Sequence, residues 1–158
     1  GNPGIASVKG LDDILHARDQ LKDTHYFIIK LHPHTQAHIE GTNCSISSEE
    51  LLPVADVVIT DYSSILFDAM IYKHPLILFV PDLDEYLDNR GFYLDYNTLP
   101  GLRAQNLEQL LQILTDEYLL HSSVNKVYTD FYDKYMASCD GHSTKRIINY
   151  IKKTDNRR

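Results

Sequence analysis

Three short apolar runs constrain the fold of this chain more than any other feature. Residues 25–31 read HYFIIKL, residues 56–60 read DVVIT and residues 75–80 read PLILFV. Runs of this length with little polar interruption are typical of strands buried on both faces, as in a parallel sheet covered by helices. Apolar residues at helical spacing occupy residues 10–22, before the first run, and residues 63–73, between the second and third runs. This alternation predicts an α/β fold with a parallel sheet and helices on both of its faces.

Capping residues and apolar spacing predict the other elements. Ser47 with Glu50 forms a capping box, so we expect a helix from there to about residue 55. Asn106, followed by Gln109, predicts a further helix start by the same local chemistry. Residues 82–101 are polar and aromatic without such a pattern, and this predicts a long functional or mobile loop.

The carboxyl-terminal part of the chain contains two more predicted helices. Tyr128, Tyr132 and Tyr135 recur at helical spacing, which is typical of a core face. After Gly141, residues 142–153 form the last predicted helix. Its inward face is expected to consist of Ile147, Ile148 and Ile151.

Length and composition indicate one globular domain. The 158 residues are 43% hydrophobic and 23% charged, and about 150 residues suffice for a substantial core. We therefore expect a single domain over residues 1–158, with residues 1–10 irregular. The longest uncharged apolar stretch is far shorter than the roughly 20 residues that span a bilayer. No signal peptide is visible, and Cys44 and Cys139 form no disulfide framework, so a cytoplasmic protein is expected.

Charge is distributed unevenly along the chain, whose formal net charge is −7. Residues 141–158 hold six basic residues and one acidic residue, whereas the first 140 residues hold nine basic and 21 acidic residues. The acidic body argues against nucleic acid as a partner. The basic terminal helix has two interpretations, a solvated helix face or a surface that contacts anionic lipid or a polyanionic acceptor.

Two polar clusters follow predicted strands at their carboxyl ends, which is where parallel sheets bind ligands. His32 and His34 follow the first apolar run, and Asp61, Ser63 and Ser64 follow the second. If the two strands are neighbours, the two clusters face each other. This convergence is the main functional prediction from the residues themselves.

The serine cluster suits a phosphate group. A helix that begins with consecutive serines offers unpaired N–H groups, partial positive charge and hydroxyl donors. Asp68, one turn further along, would reach a ribose hydroxyl of a nucleotide bound there. The plainer interpretation is that Ser63 or Ser64 only caps the helix and that Asp68 is an acidic residue favoured by the helix dipole.

The histidines also admit more than one role. His32 and His34 alternate, so in an extended segment both point the same way, where they can donate hydrogen bonds or transfer a proton near neutral pH. The plainer interpretation is a pair of surface histidines that end a strand. A metal site would recruit His38, but no nearby carboxylate or cysteine completes a ligand set, so neither metal nor cofactor is expected. The P-loop, dinucleotide-binding, nucleophile-elbow and zincin motifs are absent from the sequence.

Longer motifs resemble one known family. They are LHPH at residues 31–34, DVVITDYSSILFDAM at 56–70, KHPLILFVPDLDEY at 73–86, RGFYLDY at 90–96 and GHSTKRIINYI at 141–151. Together they resemble the carboxyl-terminal half of the CDP-glycerol glycerophosphotransferases, which include teichoic acid primases, polymerases and their capsule relatives. The DYSS-x-x-FD and RGFY segments make the resemblance specific.

The resemblance implies a GT-B architecture in which this chain is the Rossmann-like half that binds the nucleotide donor. His32 and His34 are then the catalytic candidates, placed beside the phosphates to stabilise the leaving group. Donor contacts are implied for the serine cluster and the RGFY segment, namely Asp61, Ser63, Ser64, Asp68, Arg90 and Gly91. Among them, Arg90 would add a charged donor on the leaving group.

The implied reaction is attack by an acceptor hydroxyl on the glycerol-bearing phosphorus of CDP-glycerol, with release of CMP. The acceptor would be a polyol phosphate or glycan, and the enzyme would lie at the inner face of the cell membrane. The strand that precedes the first helix in the family is either missing or disguised in residues 1–10, and the amino-terminal half with its catalytic base is not in this sequence. We therefore expect a fragment that is inactive alone.

The residues themselves leave two other functions open. A different GT-B nucleotide-sugar transferase would use the same serines for its donor diphosphate. A non-catalytic receiver-like signalling module would use Asp61 as phosphoacceptor. That fold needs a carboxylate pair after its first strand and a lysine after a later one, and neither is visible.

Overall fold

The centre of the molecule is a three-stranded parallel sheet. A computed structural model describes residues 9–31, 45–89 and 93–155. The strands lie side by side in chain order and are Val58–Thr60 (β1), Leu76–Phe79 (β2) and Leu102–Ala104 (β3). All neighbours are parallel, with Val58 opposite Leu76 and Ile77 opposite Leu102. The predicted α/β class with a parallel sheet is confirmed.

Helices surround this sheet. Within the described ranges they are Leu11–Leu21 (α1), Ser48–Leu51 (α2), Ile65–Ile71 (α3), Leu83–Asn89 (α4), Leu107–Thr115 (α5), Glu117–Ser122 (α6), Lys126–Tyr135 (α7) and Ser143–Asp155 (α8). Two short 3₁₀ helices occupy Leu52–Val54 and Tyr96–Thr98.

The central strand β2 explains why helices cover both faces. All four of its side chains are buried, and successive side chains of a strand point to opposite faces. Leu76 and Leu78 therefore enter one core, with α3 and α7, whereas Ile77 and Phe79 enter a second core, with α1, α5 and α6. This two-sided cover of a parallel sheet is the arrangement that the apolar runs predicted.

Local hydrogen bonds begin two helices where the sequence predicted them. The Ser47 hydroxyl accepts from the Glu50 amide, and the Glu50 carboxylate accepts from the Ser47 amide, so the capping box at α2 is complete. The Asn106 side chain accepts from the Gln109 amide at 3.0 Å and caps α5. Both starts depend on residues three positions apart, which is why they are readable in the sequence.

The first apolar run is not part of the sheet, so that prediction is wrong. Residues 25–31 belong to no strand, and their side chains alternate between half-buried and exposed. Tyr26 is 92% exposed, while Phe27 packs against the second core. Only one face of the run packs against the rest of the protein. The run therefore lacks the burial on both faces that defines a central strand.

The third strand of the sheet is instead β3, which was not predicted. Only three residues long and with a charged residue at its centre, β3 has no apolar run to reveal it. The Arg103 guanidinium donates to the carbonyl oxygens of Tyr96, Asn97 and Leu99 at distances between 3.0 and 3.2 Å. Arg103 thereby fixes the turn that leads into the strand.

Residues 82–101 are not one long loop, contrary to prediction. They include α4 and the Tyr96–Thr98 turn, which begins where the Asp95 side chain accepts from the Asn97 amide at 2.9 Å. Tyr96 is buried in the first core. Helix α4 was missed because four of its seven residues are polar or charged and its apolar residues, Leu83, Tyr86 and Leu87, cover little more than one turn.

The two carboxyl-terminal helices form as predicted, but their burial differs. Tyr128 of α7 is buried in the first core, as the aromatic spacing indicated. The isoleucines of α8 are not inside, because Ile147, Ile148 and Ile151 are 60%, 45% and 51% exposed. Among the described residues, no element covers the apolar face of α8.

Candidate functional site

Three loops leave the sheet at its carboxyl edge. Residues 61–64 follow β1, residues 80–82 follow β2 and residues 105–106 follow β3. Because the strands are parallel neighbours, these loops share one edge, which is the usual ligand edge of such sheets. We call residues 61–64 the serine loop.

Hydrogen bonds within the serine loop set its shape. The Asp61 side chain accepts from the Ser63 amide at 3.0 Å, and the Ser63 hydroxyl accepts from the Ile65 amide at 3.4 Å. Ser64 is the residue before α3, yet its side chain makes no capping bond. The Ser63 hydroxyl therefore has a capping role through a long hydrogen bond of 3.4 Å, whereas the Ser64 hydroxyl has no capping role.

The polar side chains of this region are open to solvent. Asp61, Ser63 and Ser64 are exposed, and so is Asp68 in the first turn of α3. Ser64 and Asp68 are four residues apart, so they lie on the same side of the helix. Hydroxyls at the loop and a carboxylate one turn away form a surface on which a phosphate and a neighbouring hydroxyl-bearing group would fit together.

Tyr62 is the residue of the loop whose importance sequence reasoning missed. Its hydroxyl donates to Asp82 Oδ1 at 2.8 Å, and its ring stacks on Tyr86 with 3.6 Å between ring centroids. Burial, and then the bond to Asp82, raises the pKa of the Tyr62 phenol above its ordinary value. One sequence feature could have indicated the importance of Tyr62, namely that an aromatic residue stands between polar residues directly after a predicted buried strand.

The other proposed site residues lie outside the described part of the chain. They are His32, His34, Arg90 and Gly91. Residues 25–31 form no strand beside β1, so the strand pairing from which the convergence was predicted is not found. The placement of the histidines near the serine loop stays a prediction that rests on the family resemblance.

A shallow groove runs beside the serine loop at the ends of β2 and β3. It is lined by Lys9, Pro81, Asp82, Leu83, Asp84, Glu85 and Gln105. Lys9 is paired with Glu85 there. Because carboxylates repel a phosphate, this groove suits an anion less well than the serine loop does.

No metal centre is visible in the described ranges. Over residues 9–31, 45–89 and 93–155, no three histidine, cysteine, aspartate or glutamate side chains gather closely enough to hold an ion.

Comparison with known proteins places these observations in one family. The family model described as CDP-Glycerol:Poly(glycerophosphate) glycerophosphotransferase matches residues 8–153. A teichoic acid poly(ribitol-phosphate) polymerase of Bacillus spizizenii is 32% identical over 143 residues, covering 84% of this chain and 22% of that protein. A teichoic acid glycerol-phosphate primase of Bacillus subtilis is 32% identical over 141 residues, covering 84% of this chain and 36% of that protein.

Solved structures give the same result. The wall teichoic acid polymerase TagF superposes with a TM-score of 0.72 at 27% identity, covering 91% of this chain and 37% of that one. A variant of TagF soaked with CDPG superposes with a TM-score of 0.70 at 26% identity, covering 89% of this chain and 38% of that one. The chain thus spans well under half the length of the relatives that it matches.

Proposed function

The chain belongs to the CDP-glycerol:poly(glycerophosphate) glycerophosphotransferase family, and from that premise we propose that it is the donor-binding part of an enzyme of teichoic acid or capsule polymer synthesis. The observation that carries the proposal is the family match over residues 8–153, which includes the serine loop at the ligand edge of the sheet. A receiver-like module is not supported by these relatives.

In this function the serine loop holds the phosphates of a CDP-linked polyol. Ser63 and Ser64 donate hydrogen bonds from exposed hydroxyls, and Asp68 accepts from the ribose one turn away. Arg90 and Gly91 complete the donor contacts. Such a site works by positioning and by neutralising charge, which is the main requirement when a phosphoryl group is transferred.

The transfer step joins the donor to a growing polymer. A hydroxyl of a polyol-phosphate or glycan acceptor attacks the polyol-bearing phosphorus, the bond to the CMP oxygen breaks, and CMP leaves with the negative charge. His32 and His34 stabilise that leaving group. The base that removes the acceptor proton belongs to an amino-terminal domain of the same polypeptide, which faces the serine loop across a cleft.

We also propose that α8 rests on an anionic membrane surface at the cytoplasmic face. Its apolar side chains are exposed, and the lysines Lys145, Lys152 and Lys153 flank them. An amphipathic helix with cations beside its apolar face suits anionic headgroups. In the described part of the chain, no helix is long and apolar enough to cross a bilayer.

Vesicle co-sedimentation tests the membrane proposal. The chain should sediment with vesicles that contain phosphatidylglycerol and stay in solution with pure phosphatidylcholine. Replacing the three lysines by glutamate should abolish sedimentation, whereas a matched change of three exposed lysines or arginines elsewhere should not. Equal sedimentation by the glutamate variant would contradict the proposal.

Calorimetric titration tests the donor proposal. CDP-glycerol, CDP-ribitol, a UDP-sugar and CMP are titrated into the chain under identical conditions. We expect a CDP-polyol to bind more tightly than CMP and the UDP-sugar to bind weakly. Preference for the UDP-sugar would favour the alternative GT-B nucleotide-sugar transferase, and no binding of any nucleotide would refute the donor site.

A further inference from the structure

Tyr62 links the serine loop to the loop after the next strand. Its hydroxyl donates to Asp82 Oδ1 at 2.8 Å, and its ring lies nearly parallel to that of Tyr86, at an interplanar angle of 16°. The Asp82 carbonyl accepts from the Tyr86 amide at 2.9 Å, in the first turn of α4. Asp82 therefore binds Tyr62 through its side chain and the first turn of α4 through its backbone carbonyl.

Packing against the first core also holds Tyr62 in place. Tyr62 packs against the first core although both flanking residues, Asp61 and Ser63, are exposed. A hydrogen bond to a carboxylate is stronger than one between neutral groups, and the phenol keeps its proton at neutral pH. The ring and the bond together hold the residue that directly precedes the two serines.

We propose that Tyr62 is a positioning residue of the donor site, an inference that rests on the proposed function. It fixes the backbone between Asp61 and Ser63, so that the hydroxyls of Ser63 and Ser64 stay where the second phosphate of the donor binds. It does not touch the donor itself. Its effect should therefore appear in the affinity for the diphosphate and hardly at all in the affinity for CMP.

Tyr62→Phe tests this role, because phenylalanine keeps the aromatic ring and removes the hydroxyl that donates to Asp82. We expect affinity for CDP-glycerol to fall by about three- to tenfold, with CMP affinity changed by less than about twofold. Tyr128→Phe is the matched control, since the Tyr128 hydroxyl is also half-buried and donates to the His74 carbonyl, before β2 at the other end of the sheet. The control should lose thermal stability without changing the ratio of the two affinities.

Variants of the acceptor separate positioning from a general loss of stability. Asp82→Asn keeps an oxygen that can accept from Tyr62, so it should restore most of the affinity that Asp82→Ala loses. The double variant Tyr62→Phe with Asp82→Ala should lose little more than either single variant. Amide hydrogen exchange at Ser63 and Ile65 should accelerate in Tyr62→Phe and stay unchanged in Tyr128→Phe.

The outcomes distinguish this role from the function on which it rests. If the unmodified chain binds no CDP-linked nucleotide, the proposed function fails. If the chain binds CDP-glycerol but Tyr62→Phe leaves that affinity unchanged, or lowers the CMP affinity equally, the positioning role alone is refuted. Equal effects of Tyr62→Phe and Tyr128→Phe on both nucleotides would refute it as well.

Discussion

Neighbouring residues of the serine loop have different physical roles. Tyr62 turns inward onto the first core and bonds to Asp82, whereas Ser63 and Ser64 remain exposed. Hydroxyls that make few bonds to their own chain keep donors for an anion, and an anchored neighbour lowers the entropy lost when that anion is bound. In the proposed donor site, this division between one anchored residue and two exposed hydroxyls keeps the loop precise enough to bind a phosphate.

The serine pair provides a prediction at the scale of single residues. Ser63→Ala combined with Ser64→Ala should weaken CDP binding by about 1–3 kcal/mol, while CMP binding and the melting temperature change little. Isothermal titration with both nucleotides measures this. Ser122→Ala with Ser123→Ala is the matched control, because those hydroxyls donate to the Leu119 and Leu120 carbonyls at the end of α6. If CDP and CMP lose affinity equally, or if only stability falls, the serines are caps.

At the scale of elements, close contact between α1 and the end of β2 depends on glycine. Gly10 precedes α1 with φ 77°, and a Cβ atom there would lie 2.7 Å from the Phe79 ring and 2.8 Å from Pro81. A side chain would therefore be strained in the backbone and crowded in space. The helix can lie against the second core because this position has no side chain.

Gly10→Ala should lower the free energy of unfolding by about 2–4 kcal/mol, since backbone strain and overpacking add. Gly141→Ala is a matched control, because Gly141 has almost the same φ, 76°, and nothing within 4 Å of the added Cβ. It should cost about 1–2 kcal/mol at most. Chemical denaturation measures both variants. Equal losses would show that crowding against β2 contributes nothing.

The exposed face of α8 gives another prediction at this scale. Ile147→Ala should change the free energy of unfolding by less than about 0.5 kcal/mol, because the side chain is 60% exposed. Leu110→Ala in α5, whose side chain is fully buried, should cost about 2–5 kcal/mol. Urea denaturation of the two variants provides the comparison. A comparable loss in both would mean that α8 is packed in this chain after all.

At the scale of the whole molecule, we propose that the carboxyl edge of the sheet is one wall of a cleft. The carboxyl edge of the sheet presents hydroxyls, a carboxylate and a groove that is mostly acidic. The curated relatives that it matches extend well beyond the matched part, which covers 17% to 38% of their lengths.

The 158-residue chain should not transfer glycerol phosphate by itself. The reacting oxygen and phosphorus must approach to about 3–3.5 Å with a base alongside, and one wall cannot align them. Release of CMP from CDP-glycerol with a glycerol-phosphate primer is the assay, run on this chain and on a polypeptide extended at its amino terminus. Turnover by the chain alone would move the base to His32 or His34 and overturn the two-domain mechanism.

The sequence by itself determined the features that depend on near neighbours. The capping bonds at Ser47 and Asn106 join residues three positions apart, and the strands β1 and β2 appear as apolar runs. The family resemblance also followed from contiguous motifs, and the serine loop was recognised because a strand, a turn and a helix start adjoin. Each of these signals is complete within a few residues.

Only the tertiary structure decided which segments pair and which faces are covered. The bond from Tyr62 to Asp82 crosses 20 positions, and β3 exists as a strand because β2 lies beside it. Residues 25–31 and α8 have apolar residues in suitable patterns, yet burial needs a partner surface on the matching face. A local pattern states that a face is apolar, whereas the packing of distant segments decides whether anything covers it.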